Sequence, residues 1–482
     1  MTGQRKGHGV QRGEYHVPEI PDYVIAELRY DSNVAIEPSG KLVAPRAAEP
    51  NANEINQILN RFALKRVGPH FELPEKTLAS RTRGIPAARV EVTADFAQSG
   101  FMQIVPENPK DAPRIVQQLR KSKSLWKAYI APRPVPAGAP EGTSLDSRNF
   151  EPAQGYLHSP PNGIGVMELW GIRGAKGKGV TICDIEGNWN YKHEDLPARI
   201  PLLGGTLVNT IDWRNHGTAV LGEMVSRPGV SGTVGIAHEA KAVTHSAVIN
   251  GVFNTAGAIS AGMAKLKAGD VILIELQATG PNGKYVAMQY WDDIFSAIRS
   301  ATQKGITVVE AAGNGDENFD LPVFNGTGLQ KDSGAIVVGA GVPPTNLFDY
   351  FAFPGFPRYS KIGVPRSRIW FSNYGKIVHV QGWGWHVTTL GYGDAQGGTD
   401  EKKWYTHRFS GTSSASPIVT GAVACIQGVA KAKLGVPLPP AKVRDILIKT
   451  GTPQQAGPDV PLSQHIGPLP NLVKAAKRAR LT

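Results

Sequence analysis

From about residue 163 onward the chain carries short apolar runs rich in β-branched residues: GVTICDIEG, KAVTHSAVI, DVILIELQ, ITVVEAAGN and AIVVGAG. Helix-like stretches such as HGTAVLGEMVS and WDDIFSAIRSATQKG lie between them. Strands that are apolar on both sides need cover on both faces. The alternation therefore predicts an α/β fold, a parallel sheet with helices on each face, over residues 163–482. In such sheets function gathers at the carboxyl ends of the strands.

The part before it reads differently. ARVEVTADF (88–96) and FMQIVP (101–106) have the texture of strands, and LWKAYIAP (125–132) of a third. KDAPRIVQQLRKSK places Ile115, Val116 and Leu119 at helical spacing. Residues 51–132 are thus expected to form a small α+β domain. A linker rich in Pro, Gly and Ser follows over 133–162. Residues 1–50 are polar, with Pro18, Pro21, Pro38, Pro45 and Pro50 and little periodicity, and are expected to be a poorly ordered leader. No internal repeat of fixed period is present.

Composition narrows the class. The length of 482 residues suits two or three domains, and 41% hydrophobic with 19% charged residues is globular. No uncharged apolar run reaches the roughly 18 residues of a spanning helix, so no membrane role is expected. The first residues are basic without an apolar stretch, which favours a cytoplasmic location and leaves export open. Two cysteines, Cys183 and Cys425, cannot make a disulfide framework and read as core residues. The net charge of +12 is scattered along the chain, a solvated surface more than a nucleic-acid footprint. The tail KAAKRARLT reads as an exposed basic helix, and a monomer is expected.

Three short sequences stand at strand or helix ends. GKGVTICDIEG puts Asp184 at the end of the first strong strand, RNHGTAVLGEMV puts His216 at a helix start, and FSGTSSASPIVTGAVACI puts Ser413 just before an apolar helix. Pro417 is read as lying in that helix's first turn, where its missing N–H costs little. An alcohol is a poor nucleophile at neutral pH. It needs a neighbouring base, and the base needs an orienting carboxylate. TVVEAAGNG ends a further strand with Asn314, whose amide suits a developing oxyanion.

On these motifs the chain resembles the subtilisin-like serine proteases. The matching residues are Asp184 after its strand, His216-Gly217-Thr218, Ala311-Ala312-Gly313-Asn314 and Gly411-Thr412-Ser413-Ser414-Ala415-Ser416-Pro417. The resemblance implies a serine endopeptidase working through an acyl-enzyme. Asp184, His216 and Ser413 would be its triad and Asn314 its oxyanion donor, with protein or peptide substrates. Glu275, Leu276, Gln277, Ala311, Ala312 and Gly313 align with its substrate-lining strands. It requires no cofactor; calcium is common in the family, and no ligand set can be assigned here. Residues 51–132 resemble the family's propeptides, which implies an autoinhibited precursor that cleaves itself within about 133–160. The alternative is a catalytically silent binding or scaffold protein on the same fold.

Several departures stand out. Ile185-Glu186-Gly187 follows the aspartate where the family has a small residue and Gly, Ala219 replaces a second histidine, and Glu275-Leu276-Gln277-Ala278 replaces Ser-Leu-Gly-Gly. Larger side chains there should narrow the specificity pocket. Glu186, Glu275 and Glu310 are expected to converge beside the triad and to raise the pKa of His216, shifting activity toward alkaline pH. Pairing with basic side chains, or a bound cation, are the alternatives. The aromatic and Pro-rich segment 342–370 is either a loop near the cleft or a surface insertion. His193-Glu194 and His238-Glu239 lack a zincin's second histidine, and Gly174–Gly179 precedes a strand, unlike a phosphate loop. No metal site is expected.

Overall fold

A computed structural model of the chain describes residues 22–29, 32–71, 98, 100–136, 149–229, 231–344 and 363–481. The N-terminal part is an antiparallel sheet of β1 (Val24–Leu28), β2 (Leu64–Pro69), β3 (Phe101–Pro106) and β4 (Leu125–Ile130), in the order β2-β3-β1-β4. Helices α1 (Glu49–Leu59) and α2 (Ala112–Leu119) cover one face, where Ile55, Ile115 and Leu119 pack on Val24, Ala26, Met102 and Ile104.

Residues 22–29 and 32–50, expected to be a poorly ordered leader, are part of this domain. The sequence VIAEL forms β1, the strand between β3 and β4. Five residues flanked by prolines carry too short a pattern to show a period, and only the neighbouring strands reveal its two apolar faces. The strand expected at ARVEVTADF lies outside the described residues, as does most of 342–370.

The larger part holds a six-stranded, wholly parallel sheet. Its strands are β6 (Thr181–Glu186), β7 (Lys241–Ser246), β8 (Val271–Ile274), β11 (Thr307–Ala311), β12 (Ile336–Gly341) and β13 (Val378–Trp383), in the order β13-β12-β11-β8-β6-β7. A three-stranded ribbon stands beside it, with β9 (Leu276–Thr279) between β10 (Tyr285–Ala287) and β5 (Val135–Pro136).

Alternation along the strands assigns the two faces. Ile182, Leu273 and Val309 point toward α3 (Ile211–Val225) and α6 (Thr412–Leu434). Cys183, Ile185, Ile274 and Val308 point toward α4 (Thr255–Lys265) and α5 (Asp292–Gln303). Both cysteines are buried and free, Cys183 in the second layer and Cys425 in the first, and burial pushes both thiols up. Helix α7 (Pro440–Thr450) and α8 (Leu472–Arg478) close the first layer. Helix α8 is the basic tail, and it buries Leu472, Ala475 and Ala476 instead of standing free.

The two parts share a core. Ile25, Phe71, Phe101 and Val105 join Ile259, Ile294 and Ile298 of α4 and α5 in one apolar cluster. The polar contacts across this boundary centre on Asp293, in the first turn of α5. Its carboxylate meets Nε2 of His70 at 2.8 Å and accepts from the Tyr129 hydroxyl at 2.7 Å. Lys127 pairs with the adjacent Asp292.

Candidate active site

Ser413 is the second residue of α6, a 23-residue helix that starts where Gly411 takes a φ of 102°, a conformation that favours glycine. The backbone N–H of Ser413 therefore lies in the first turn, at the positive end of a long helix. Asn314 follows β11 and is locked beside it. Its Oδ1 accepts from Thr412 N at 2.9 Å and from Thr412 Oγ1 at 3.0 Å, while its own N–H donates to Gln277 Oε1 at 2.7 Å. Fixing Oδ1 on Thr412 also fixes the orientation of the amide nitrogen. Pro417 lies inside α6, past the first turn, so the carbonyl of Ser413 loses its ordinary helical donor.

His216 sits on the buried face of α3, a helix capped where Thr210 Oγ1 accepts from Trp213 N. Its Nδ1 is hydrogen-bonded to Oε1 of Glu186, its ring meets Phe409 edge-on at 5.4 Å, and both members of the pair are fully buried. Asp184 does not take the place expected for it from the sequence. Its Oδ2 accepts from the Trp189 indole at 2.7 Å, and its Oδ1 has no partner. The reason is register. Both acids face α3, but Asp184 lies inside the sheet opposite Leu273 and Thr244, whereas Glu186 ends β6 opposite Ser246. The acid next to the glycine at the strand end is Glu186, and its longer side chain reaches the ring.

Glu275 joins this group from the junction of β8 and β9. Ser416 Oγ is hydrogen-bonded to its Oε1, the Ser413 hydroxyl also donates toward it, and Asp184 and Glu186 are its acidic neighbours. Glu223, which sequence reasoning missed, faces it from α3 about two turns beyond His216, with both carboxyl oxygens buried and unpartnered. A helical spacing from the histidine was the only signal for it.

Glu310 is not a member. It points to the other face with Val308 and Ala312, accepts from Gln289 N at 3.2 Å, and burial pushes it up to about 8. Burial raises Asp184, Glu186, Glu223 and Glu275 well above the usual carboxylate range. Burial also lowers His216, opposite in direction to the rise in its pKa expected from crowded negative charge.

Of the residues aligned with substrate-lining strands, Leu276 and Gln277 lie on β9 and Ala311 ends β11. The Ala312 carbonyl accepts from Asn373 Nδ2 at 2.7 Å, and Gly313 N donates to Thr412 Oγ1 at 3.1 Å. Strand β5, within the stretch expected to be a linker, pairs antiparallel with β9, Val135 opposite Gln277 and Pro136 opposite Leu276. Among the described residues no group of three or more His, Cys, Asp or Glu is arranged to hold a metal ion.

A serine at the head of a long buried helix, a histidine bound to a strand-end carboxylate, and an asparagine locked beside the serine place the chain among the subtilisin-like serine proteases. It belongs to the subtilase family, whose pattern matches residues 177–467, more than half of the chain. Among curated proteins it is similar to "Subtilisin-like protease 2" of Trichophyton verrucosum, 28% identical over 309 residues. That match covers 62% of this chain and 57% of the fungal protein. "Major intracellular serine protease" of Bacillus subtilis (strain 168) is 25% identical over 285 residues, 55% of this chain and 75% of that one. Among solved structures, fervidolysin from Fervidobacterium pennivorans, described as a keratinolytic enzyme related to subtilisin, has the same fold. Its TM-score is 0.53 at 15% identity, covering 97% of this chain and 62% of that one.

Proposed function

We propose that the chain is a serine endopeptidase made as an autoinhibited precursor, with Ser413 as nucleophile, His216 as general base and acid, and Glu186 as the orienting carboxylate. The observation that carries this reading is the buried bond between His216 Nδ1 and Glu186. With Nδ1–H held by Glu186, the lone pair of Nε2 is left to take the proton of Ser413 Oγ as it attacks the scissile carbonyl. The same proton then goes to the leaving amine, and water repeats the sequence to release the acyl group. The amide of Asn314 and the N–H of Ser413 meet the oxyanion, and the α6 macrodipole favours charge there.

The precursor reading rests on β5. A segment that adds a strand to the edge at β9 occupies the backbone positions an extended peptide substrate would use. Residues 22–136 then act as an inhibitor delivered with the enzyme, and removal follows a cut within about 133–160. Protein or peptide substrates follow from a strand-edge cleft of this kind.

A fluorophosphonate probe and the mass of the incubated chain test both statements. Covalent labelling that disappears in Ser413→Ala supports the peptidase, and no labelling of intact or processed chain favours the silent scaffold. Equal full-length mass for wild type and Ser413→Ala after incubation would remove the self-cleaving precursor and leave residues 22–136 as a permanent domain.

A further inference from the structure

The hydroxyl of Ser416 has one proton and two partners. Its oxygen lies 2.7 Å from the carbonyl oxygen of Thr412, which can only accept, and is also hydrogen-bonded to Oε1 of Glu275. If the Ser416 proton serves Thr412, the second hydrogen bond needs a proton from the other side, and only the Glu275 carboxyl can supply it. The surroundings agree. Glu275 is fully buried, and the titratable groups that act on it are Asp184 and Glu186 from β6 and Glu223 from α3, all acids, with no Lys or Arg among them. From α6 it meets Ser413 and Ser416.

On the peptidase reading of this site, we propose that Glu275 works as a neutral carboxylic acid that positions the nucleophile, donating its proton to Ser416 while the neighbouring hydroxyl of Ser413 is steered by the same uncharged carboxyl group. Charge decides whether this helps. A neutral acid holds the Ser413 hydroxyl near its place and leaves its proton for the stronger base, His216. An ionised Glu275 would compete with His216 for that proton and set a negative charge beside the oxyanion formed at Asn314. Glu186 then serves the histidine, while Glu275 serves the nucleophile and stays uncharged.

The test compares Glu275→Gln with Glu275→Ala in the full chain. Glutamine reproduces the neutral acid, with an amide N–H to offer Ser416 and no charge beside Ser413. Fluorophosphonate labelling of Ser413 at pH 7 should stay within about threefold in Glu275→Gln and fall about a hundredfold in Glu275→Ala, where the nucleophile loses its support. Equal loss in both variants would overturn the positioning role.

The second readout does not depend on activity. It is the melting temperature of Ser413→Ala, which cannot cleave itself, with and without Glu275→Gln, from pH 6 to pH 9. A carboxyl neutral in the folded chain and ionised in the unfolded one shifts the unfolding equilibrium about tenfold per pH unit toward the unfolded state as pH rises. The margin by which Glu275→Gln melts above its parent should therefore widen with every unit. A margin that stays constant or narrows means that Glu275 is ionised in the fold, and the proposal fails. Absence of labelling in the wild type would instead remove the peptidase reading, while the melting margin still decides the state of Glu275.

Discussion

A β-carbon placed on Gly217 would lie 2.5 Å from Oε2 of Glu186 and 2.3 Å from the carbonyl oxygen of Asn188. The glycine after the histidine is thus the space into which the orienting carboxylate fits. Gly217→Ala pushes against backbone on one side and against the Glu186–His216 pair on the other. It should cost about 1–3 kcal/mol of stability by overpacking, and labelling of Ser413 should fall by more than that loss explains. Melting curves and labelling rates on the same preparation check both.

Glu186 and Asp184 separate the orienting role from mere proximity. Glu186→Gln keeps the shape but lets the amide hold the wrong tautomer of His216, and kcat should fall about 10⁴-fold. Asp184→Asn can keep an oxygen toward the Trp189 indole and should stay within about tenfold, because it changes one buried hydrogen bond and not the base. Peptide hydrolysis by the two variants, measured side by side, decides which acid serves the histidine. Equal losses would contradict the assignment.

Asn314→Ala removes the oxyanion amide and also the acceptor for Thr412 N and Oγ1. The loss should appear in kcat, about 10²–10³-fold, with KM little changed, since a ground-state carbonyl gains little from that donor. A rise in KM of the same size would point to a role in substrate binding instead.

These assignments were unevenly legible in the sequence. His216, Asn314 and Ser413 were readable because each lies in a short motif whose neighbours have local reasons to be there: Gly217 for close approach, Thr412 to lock Asn314, Gly411 to turn the chain into α6. The parallel sheet was readable from its apolar runs. The orienting acid was not, because Asp184 and Glu186 share a face and only the place where β6 ends and the reach of a side chain tell them apart. Glu223 looked like one more polar residue on a helix. Glu310 was grouped with the acids by its nearness to Asn314 in sequence, although the strand's alternation turns it to the opposite layer. The first strand of the N-terminal domain was hidden because its partners lie far along the chain.

His70 reports on the docking of the N-terminal domain. Its ring is buried against Asp293, and its backbone carbonyl accepts from Asn254 Nδ2 at 3.3 Å. His70→Ala leaves half of the Asp293 carboxylate without a partner in a buried site, and an unsatisfied buried hydrogen-bonding group costs about 1–3 kcal/mol. The precursor should then hold its inhibitor less tightly, and processed enzyme should accumulate sooner than in wild type. Unchanged timing on a gel time course would mean that release does not limit maturation.

Glu310 supplies the pH signature of the opposite layer. Its carboxyl is held at about 8 in the fold against an ordinary value of 4.5, with burial as the main cause and the N–H groups of Gln289 and Met288 opposing it. The folded chain therefore keeps a proton that the unfolded chain gives up. The stabilisation is fully present below about pH 4.5 and is lost as pH rises through about 8. Glu310→Gln, made in the Ser413→Ala chain, should flatten the fall in melting temperature between pH 5 and 8. Above pH 8 the variant's advantage should stop growing, because the native carboxyl is by then ionised as well. Because Glu310 faces α5 and not His216, the same substitution in the active chain should leave the acidic limb of kcat/KM in place. A limb that moves with Glu310→Gln would mean that the two layers of acids are electrostatically coupled through the sheet.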